Sequence, residues 1–326
     1  MKTEWRIISL SPMRTCRLKS ALFEAGIPRD FSIELRTLPA GTLPSVLLEA
    51  VGEADILIGD YSFRIGIDRN FITAAKKLQF IQQPSAGLDH IDLAACKERN
   101  VAVANAASAN AEAVAEHTLA LAFMLLKNLY RAHQAIVSGD WPQFLLGNRE
   151  LKGMTWGIVG MGKIGQQLAR RLPPFGTEVV YYDVIECREA DCGTLLPLEE
   201  LLSRSGIVSL HLPLTKQTAG LMNHSRLSSM KPGAFLINVA RGGIVDETAL
   251  ADHLSNHLAG AALDVFSTEP LPADSPLRQC TNMIFTPHIA GVTEEARQRI
   301  LRQVIGNVAR FMVGQRPIDL VIGGQE

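Results

Sequence analysis

Three polar residues follow apolar stretches of the kind that form buried strands, and their side chains could carry acid/base chemistry. Arg241 ends "AFLINVAR", Glu269 lies in "GAALDVFSTEP", and His288 ends "MIFTPH". Each has an ordinary explanation alone, as a loop cap, a solvated charge or a satisfied core histidine. A guanidinium, a carboxylate and an imidazole at one sheet edge would together supply a positive charge and a group that can move a proton. The three residues therefore predict a catalytic set.

A second group of residues has the spacing of a dinucleotide-binding turn. "GIVGMGKIG" contains Gly160, Gly162 and Gly165 in the pattern G-x-G-x-x-G, between an apolar strand and an amphipathic helix. The first glycine allows a tight turn, the second lets backbone approach a pyrophosphate, and the third lets the helix pack closely. Free N–H groups at the helix start favour phosphates. The predicted cofactor site also includes the intervening residues Met161, Lys163 and Ile164.

Asp183 follows Gly165 by eighteen residues, which is near the spacing of a carboxylate that binds the cofactor ribose. A carboxylate accepts hydrogen bonds from ribose hydroxyls but repels a 2′-phosphate, by about 4 kcal/mol per charge pair at ~4 Å and an effective dielectric near 20. NAD is therefore expected rather than NADP. Arg188 would weaken this preference if its loop folds back.

The elements that must position these residues alternate regularly along the chain. Short apolar runs are separated by helix-length stretches, which indicates βαβ units and parallel sheets. At 326 residues the chain has room for roughly two domains. The expected strands are 6–11, 32–38, 55–60, 78–83 and 101–106, then 156–162, 178–183, 206–213, 234–241, 259–265 and 282–287.

Residues 109–137 read as one long helix that is apolar around much of its circumference, which predicts burial. It could lie between two domains or against a second copy of the chain, so a homodimer is expected. A final helix begins near residue 293 and could pack on the first domain.

Composition narrows the function classes. An apolar fraction of 47%, a charged fraction of 20% and a net charge of −1 give no electrostatic case for nucleic acid or a membrane surface. The N-terminus has no signal-peptide pattern, so a cytoplasmic location is expected. The five cysteines complete no zinc set, so no metal is expected and the thiols are predicted to be reduced.

Long motifs then identify a resemblance. "GIVGMGKIG", "HLPLTKQTAGLMN", "MKPGAFLINVARGGIVDETAL", "GAALDVFSTEPL" and "TPHIAG" resemble the signature segments of the D-isomer-specific 2-hydroxyacid dehydrogenases. "PSAGLDHIDL" and "NAEAVAEHTLAL" upstream are similar to that family as well. The resemblance covers most of the chain and is strongest over 151–292.

The resemblance implies a role for each matching position. Arg241 would hold the substrate carboxylate and polarise the 2-carbonyl, and His288 would exchange the proton with the carbonyl oxygen. Glu269 would pair with His288, since a carboxylate stabilises an imidazolium. The substrate carboxylate would also meet the backbone of Ser85, Ala86 and Gly87. The residues carried over as cofactor neighbours are Asp264, for the nicotinamide amide, and Pro213, Thr218, Val239, Ala240 and Gly291.

The family also implies an α/β fold with two doubly wound parallel-sheet domains. A Rossmann NAD-binding domain would span 106–292. A flavodoxin-like substrate domain would be discontinuous, formed by 1–105 plus 293–326, with substrate bound between the domains. The expected activity is hydride transfer between NAD and a small D-2-hydroxy acid or 2-keto acid.

Other functions remain open from the sequence. A formate dehydrogenase is disfavoured, because those members carry glutamine where this chain has Glu269. Phosphoglycerate oxidation is admissible. An NAD(H)-responsive binding protein is the alternative from another class, since relatives act as transcriptional corepressors and a fold alone does not fix a function.

Overall fold

The computed structural model describes residues 2–10, 15–38, 41–61, 65–187 and 193–323. The chain forms two compact units. Unit 1 comprises Met1–Asn110 and Glu294–Glu326, and unit 2 comprises Ala111–Thr293. Each unit contains an open sheet that packs against two hydrophobic clusters.

Unit 1 has the strand order of a flavodoxin-like sheet. Its order is β13-β5-β4-β3-β1-β2, in which β1 to β5 are parallel and β13 runs antiparallel to β5. The strands are β1 (Glu4–Ser9), β2 (Ser32–Thr37), β3 (Ile56–Ile58), β4 (Phe80–Gln82), β5 (Ala102–Ala104) and β13 (Leu320–Ile322). The helices are α1 (Thr15–Glu24), α2 (Pro44–Gly52), α3 (Arg69–Ala74), α4 (Leu93–Glu98) and α11 (Glu294–Met312).

Unit 2 has the strand order of a Rossmann sheet with one further strand. Its order is β12-β11-β10-β9-β6-β7-β8. Strands β7 and β8 lie on one side of β6, and the strands from β9 onward lie on the other side. The parallel strands are β6 (Thr155–Val159), β7 (Glu178–Tyr182), β8 (Thr194–Leu195), β9 (Ile207–Leu210), β10 (Phe235–Asn238), β11 (Gly260–Leu263) and β12 (Met283–Phe285). The α-helices are α5 (Ala111–Leu126), α6 (Leu129–Val137), α7 (Lys163–Arg171), α8 (Leu198–Arg204), α9 (His224–Ser229) and α10 (Glu247–Leu254), with short 3-10 helices at Pro173–Phe175, Gly242–Ile244 and Pro276–Gln279.

The central strands of both sheets are apolar because helices cover both of their faces. Every residue of β4, β9, β10 and β11 is buried. Burying each large aliphatic or aromatic side chain contributes about 1.5–3 kcal/mol to folding. The polar residues that follow a central strand are therefore attached to a rigid, well-packed sheet.

The predicted α/β class with two parallel-sheet domains is confirmed. The sequence did not predict β8 or the antiparallel β13, which are short edge strands with little apolar signal.

The prediction of one helix over 109–137 is wrong. The helix ends at Leu126, and Asn128 has a left-handed backbone (φ 47°) before α6 begins. The Asn128 side chain donates to the carbonyl of Leu146, which compensates this break. Only α5 is buried, since α6 has no buried residue.

Two further expectations concern the thiols and membranes. Cys187 is disulfide-bonded, whereas Cys16, Cys96 and Cys280 are free, so the prediction of reduced thiols throughout is wrong. Sequence spacing does not reveal which sulfur atoms the fold brings within bonding distance. In the described ranges, no helix has the length and apolar character needed to cross a membrane. The cytoplasmic location stays a prediction.

Candidate functional site

The glycine turn after β6 has the geometry that a pyrophosphate requires. Gly160 has φ +102°, and a Cβ atom there would lie 2.7 Å from the carbonyl oxygen of His211. A Cβ atom on Gly165 would lie 2.2 Å from the carbonyl oxygen of Gly160, so the helix can approach the turn only because this residue is glycine. Around the Cβ position of Gly162 there is open space. The turn is thus closed on its inner side and open at Gly162.

Helix α7 begins at Lys163 with Gly162 at its N-cap, and the N–H groups of its first turn have no intrahelical acceptor. Asp183 directly follows β7 beside this turn, since Val159 pairs with Tyr182. One carboxylate oxygen of Asp183 accepts the Met161 N–H at 2.6 Å, and the other accepts the Ile185 N–H at 3.1 Å. The unpaired N–H groups of the helix start and the Asp183 carboxylate therefore lie at one turn, an arrangement that fits NAD. Arg188 lies outside the described residues.

The other predicted cofactor neighbours follow β9, β10 and β12. Thr218 donates its hydroxyl to the carbonyl of Pro213 at 2.6 Å and accepts the Thr215 N–H at 2.8 Å, which orders that loop. Val239 and Ala240 are buried directly after β10. Gly291 follows the segment that contains His288.

Arg241 is held by a turn that the sequence analysis did not identify. Asn238, fully buried at the end of β10, accepts the Ala240 N–H at 3.0 Å and donates to the Arg241 carbonyl at 2.8 Å. A Cβ atom on Gly242 would lie 1.8 Å from the carbonyl carbon of Phe266. The arginine turn therefore lies directly against the segment that leads to Glu269. The signal in the sequence is an asparagine in an otherwise apolar strand, followed by paired glycines.

His288 and Glu269 form a direct pair. The distance from His288 Nδ1 to Glu269 Oε2 is 2.8 Å, and both side chains are 37% exposed. The other Glu269 oxygen accepts the Phe266 N–H at 3.1 Å, which orients the carboxylate. A carboxylate accepts Nδ1–H, so Nε2 of the imidazole is left for a further partner.

The backbone of His288 is in the left-handed region, with φ +55°. That conformation costs a non-glycine residue about 1–2 kcal/mol, and it persists where its surroundings determine it. Asp264 supplies those surroundings. Its carbonyl accepts the His288 N–H at 2.8 Å, and its carboxylate accepts the N–H groups of Ile289 at 2.9 Å and Ala290 at 2.8 Å.

Thr286 and His117 also contact this buried carboxylate or its partners, and the sequence analysis missed both. Thr286 donates its hydroxyl to Asp264 at 2.6 Å, and His117 Nε2 lies 3.1 Å from the Thr286 hydroxyl. His117 Nε2 is 3.7 Å from Asp264. Burial lowers the pKa of His117, and the Asp264 charge opposes that shift. The direct Asp264–nicotinamide contact remains a prediction.

The loop Ser85–Gly87 follows β4 in unit 1 and is held by amide groups. The Ser85 carbonyl accepts the Ala106 N–H at 3.0 Å, and the Ala86 carbonyl accepts Asn105 Nδ2 at 2.8 Å. Gln83 Nε2 donates to the Ser85 hydroxyl at 2.9 Å. Within the described part of the chain, the N–H groups of Ala86 and Gly87 donate to no acceptor. Two backbone donors are thus available to an anion.

In unit 2, Arg241, Glu269 and His288 follow the adjacent strands β10, β11 and β12 at the carboxyl edge of the sheet, which is also the edge of the glycine turn. Ser85–Gly87 lies at the corresponding edge of the other unit. Among the residues that the structure describes, no group of three histidine, cysteine or acidic residues could hold a metal ion.

Comparisons with known proteins agree with this geometry. Residues 119–290 match the family model described as D-isomer specific 2-hydroxyacid dehydrogenase, NAD binding domain. A glyoxylate reductase of Thermofilum pendens is 42% identical over 267 residues, which is 78% of each chain. A D-3-phosphoglycerate dehydrogenase of Mycobacterium bovis is 40% identical over 283 residues, 85% of this chain and 53% of the relative. The chain thus spans about half the length of that relative.

A solved structure has the same fold as this chain. The D-lactate dehydrogenase of Aquifex aeolicus, complexed with NAD and lactic acid, has a TM-score of 0.84 and 28% sequence identity to this chain. The match covers 98% of this chain and 100% of that chain.

Proposed function

The chain belongs to the D-isomer-specific 2-hydroxyacid dehydrogenase family, and on that premise we propose that it is an NAD-dependent oxidoreductase. It would transfer a hydride between nicotinamide and a small D-2-hydroxy acid or 2-keto acid. The observation that carries the proposal is the 2.8 Å pair of His288 and Glu269 at the sheet edge that also holds the glycine turn. NAD supplies the hydride acceptor or donor when bound.

His288 moves the proton in this proposal. Glu269 accepts Nδ1–H, which directs Nε2 toward the substrate oxygen and stabilises the imidazolium. During reduction Nε2–H protonates the carbonyl oxygen, and during oxidation neutral Nε2 takes the hydroxyl proton. A residue that can give and take this proton serves both directions.

Arg241 and the unit 1 loop bind the acid in this proposal. The planar guanidinium of Arg241 would pair with the carboxylate and polarise the 2-carbonyl, a geometry that lysine does not reproduce. The N–H groups of Ala86 and Gly87 would donate to the carboxylate, with Ser85 fixing the start of that loop.

Cofactor selection rests on Asp183. Its carboxylate accepts the Met161 N–H at the glycine turn, which supports a role for Asp183 in binding the adenosine ribose of a turn-bound dinucleotide. A 2′-phosphate would approach this charge directly, which favours NAD. The further cofactor contacts proposed are Gly160, Gly162, Lys163, Ile164, Gly165, Pro213, Thr218, Val239, Ala240, Asp264 and Gly291.

The test is loss of NADH absorbance across a panel of 2-keto acids, with NADPH in parallel. The panel includes glyoxylate, pyruvate and hydroxypyruvate, and the reverse reaction is run with 3-phosphoglycerate, because the compared relatives are named for different acids. Turnover with NADH supports the proposal, and preference for NADPH contradicts the role of Asp183. NADH binding without turnover on any acid favours an NAD(H)-responsive binding protein instead.

We infer further that a second copy of the chain covers the surface formed by α6 and the following segment. Trp141, Phe144 and Leu145 are 77%, 88% and 83% exposed, and Tyr130, Ile136 and Val137 are exposed as well. Several exposed large apolar side chains within one short stretch of chain are typical of interfaces, and twofold homodimers are the commonest assemblies.

Light scattering tests the homodimer. Phe144→Asp is expected to give a monomer, whereas Leu43→Asp, an equally apolar exposed position in unit 1, is expected to leave the dimer intact. A wild-type monomer at all concentrations would contradict the inference.

A further inference from the structure

The acid/base histidine of the proposed function depends on a buried carboxylate that it does not touch with its side chain. Asp264 binds the three consecutive N–H groups of His288, Ile289 and Ala290, one through its carbonyl and two through its carboxylate. The side chain of Asp264 is 1% exposed. We call these three hydrogen bonds the Asp264 clamp. Because His288 has a positive φ, the direction of its side chain depends on this clamp.

The Asp264 carboxylate of this clamp also has side-chain partners. A buried charge needs hydrogen-bond donors, and Thr286 supplies one at 2.6 Å. A hydroxyl has a single proton, so if Thr286 donates it to Asp264, the hydroxyl oxygen must accept at its contact with His117. That donor balance assigns a proton to His117 Nε2, which lies 3.1 Å away. The chain of donors therefore runs from His117 through Thr286 to Asp264.

The helix that carries His117 packs against the strand that Thr286 follows. His117 lies on α5, whose buried face packs against β10, β11 and β12, the strands that carry Arg241, Glu269 and His288. Thr286 directly follows β12 and precedes His288 by two residues. The position of a buried helix is thus transmitted to the segment of the acid/base residue by hydrogen bonds.

We propose that His117 and Thr286 are positioning residues for His288, acting through Asp264. This proposal rests on the proposed dehydrogenase function. Neither residue needs to touch substrate or cofactor. Both keep the Asp264 carboxylate directed at the N–H groups that set the His288 backbone, and their loss lets the imidazole leave the orientation in which it meets the substrate oxygen.

The first test compares Thr286→Val with Thr286→Ser in the full chain, on whichever 2-keto acid the wild type reduces. Valine keeps the volume and removes the donor, so kcat is expected to fall about 10-fold, as for a small misplacement of a reacting group. KM for the acid and Kd for NADH are expected to change less than about 3-fold. Serine keeps the hydroxyl and is expected to restore kcat.

The second test compares His117→Leu with His117→Gln. Leucine removes the N–H donor, whereas the glutamine amide retains one, so only the leucine variant is expected to lose about 10-fold in kcat. The double variant Thr286→Val with His117→Leu is expected to lose no more than the worse single variant, because residues of one network are not additive. A deuterium isotope effect with 4-deuterated NADH checks that the loss is in the chemical step.

Thr118→Val is the matched control, because Thr118 is buried on the same helix and its hydroxyl only returns to the Val114 carbonyl. Its kcat is expected to equal that of the wild type. If Thr286→Val does not fold, the His117 pair carries the test alone. Wild-type turnover with unchanged kcat in the variants, additive losses, or an equal loss in Thr118→Val overturns this proposal only. Absence of wild-type turnover despite NADH binding overturns the proposed function, and this inference with it.

Discussion

Two regions of the molecule both follow parallel strands but offer different chemical groups. They are the loop Ser85–Gly87 in unit 1 and the set Arg241, Glu269 and His288 in unit 2. The first offers backbone N–H groups and is held by the amides of Gln83 and Asn105. The second offers side chains, and its histidine is held by the carboxylate of Glu269 and the backbone carbonyl of Asp264.

This difference indicates a division between two roles, anion binding in unit 1 and proton exchange in unit 2. Backbone donors held by amides carry no titrating proton, so they can bind an anion but cannot exchange a proton. Imidazole and carboxylate side chains can exchange a proton, so this set in unit 2 can do acid/base chemistry. Damage to the loop should therefore raise KM, whereas damage to the side-chain set should lower kcat. The four predictions that follow run from the largest expected effect to the smallest.

The largest effect is expected for His288→Gln. Glutamine can still bond Glu269 but cannot exchange a proton, so kcat should fall about 10³-fold, within the usual range for a general acid. Kd for NADH, measured by fluorescence, should change less than about 3-fold. His257→Gln is the control, since the His257 ring bonds the Met230 carbonyl, away from the sheet edge that carries His288. A variant that keeps a tenth of the activity would contradict the role of His288.

Arg241→Lys keeps the charge but loses the planar fork. We expect kcat/KM to fall about 10²-fold, because the bidentate geometry and the polarisation of the carbonyl are both lost. Arg204→Lys serves as control, since Arg204 forms exposed ion pairs that contribute little. Equal activity of both lysine variants would mean that Arg241 acts as a simple charge.

Unit 2 also contains His211, whose carbonyl lies against Gly160. We expect the free energy of unfolding to depend on pH through this residue. Burial lowers the pKa of His211 to about 3. Its Nε2 contacts Ser209 at 2.9 Å, and among the described residues its Nδ1 has no partner, so the folded protein resists protonation. The unfolded chain takes up the proton near pH 6.5, so this contribution to stability is present above that pH and is lost as the pH falls toward 3.

Between pH 7 and pH 5 this loss is about 2 kcal/mol. Urea unfolding should show that His211→Gln loses about that much less stability than the wild type over the same interval. If both proteins lose the same amount, His211 takes up its proton over the same pH range in the folded and unfolded chains, which would contradict the lowered pKa.

The smallest effect is expected for Asn105→Ala in unit 1. The variant releases the Ala86 carbonyl, so the two N–H donors lose their alignment. KM for the acid should rise about 5–10-fold, less than for the complete loss of one hydrogen bond to a charged group because the donors are displaced rather than removed, and kcat should change less than about 2-fold. Asn282→Ala removes comparable bonds to the Leu254 and Ala259 carbonyls in unit 2 and should leave KM unchanged. A fall in kcat for Asn105→Ala would break the proposed division.

Part of the site could be predicted from the amino-acid sequence. Gly160, Gly162, Gly165 and Asp183 were identified because each performs a local task, and local tasks leave local patterns. Asn238, Thr286 and His117 were not identified. Their function depends on partners that are distant in the sequence, and 169 residues separate His117 from Thr286.

The amino-acid sequence by itself determined the class of fold, the order along the chain of all strands except β8 and β13, the dinucleotide turn and the family. Those properties follow from periodicity and from motifs that lie within a few residues of one another. Only the tertiary structure decided that the helix predicted over 109–137 breaks at Asn128, that His288 has a left-handed backbone, and that Asp264 holds it. Each of these depends on hydrogen bonds between strands, helices and loops that meet only when the chain has folded.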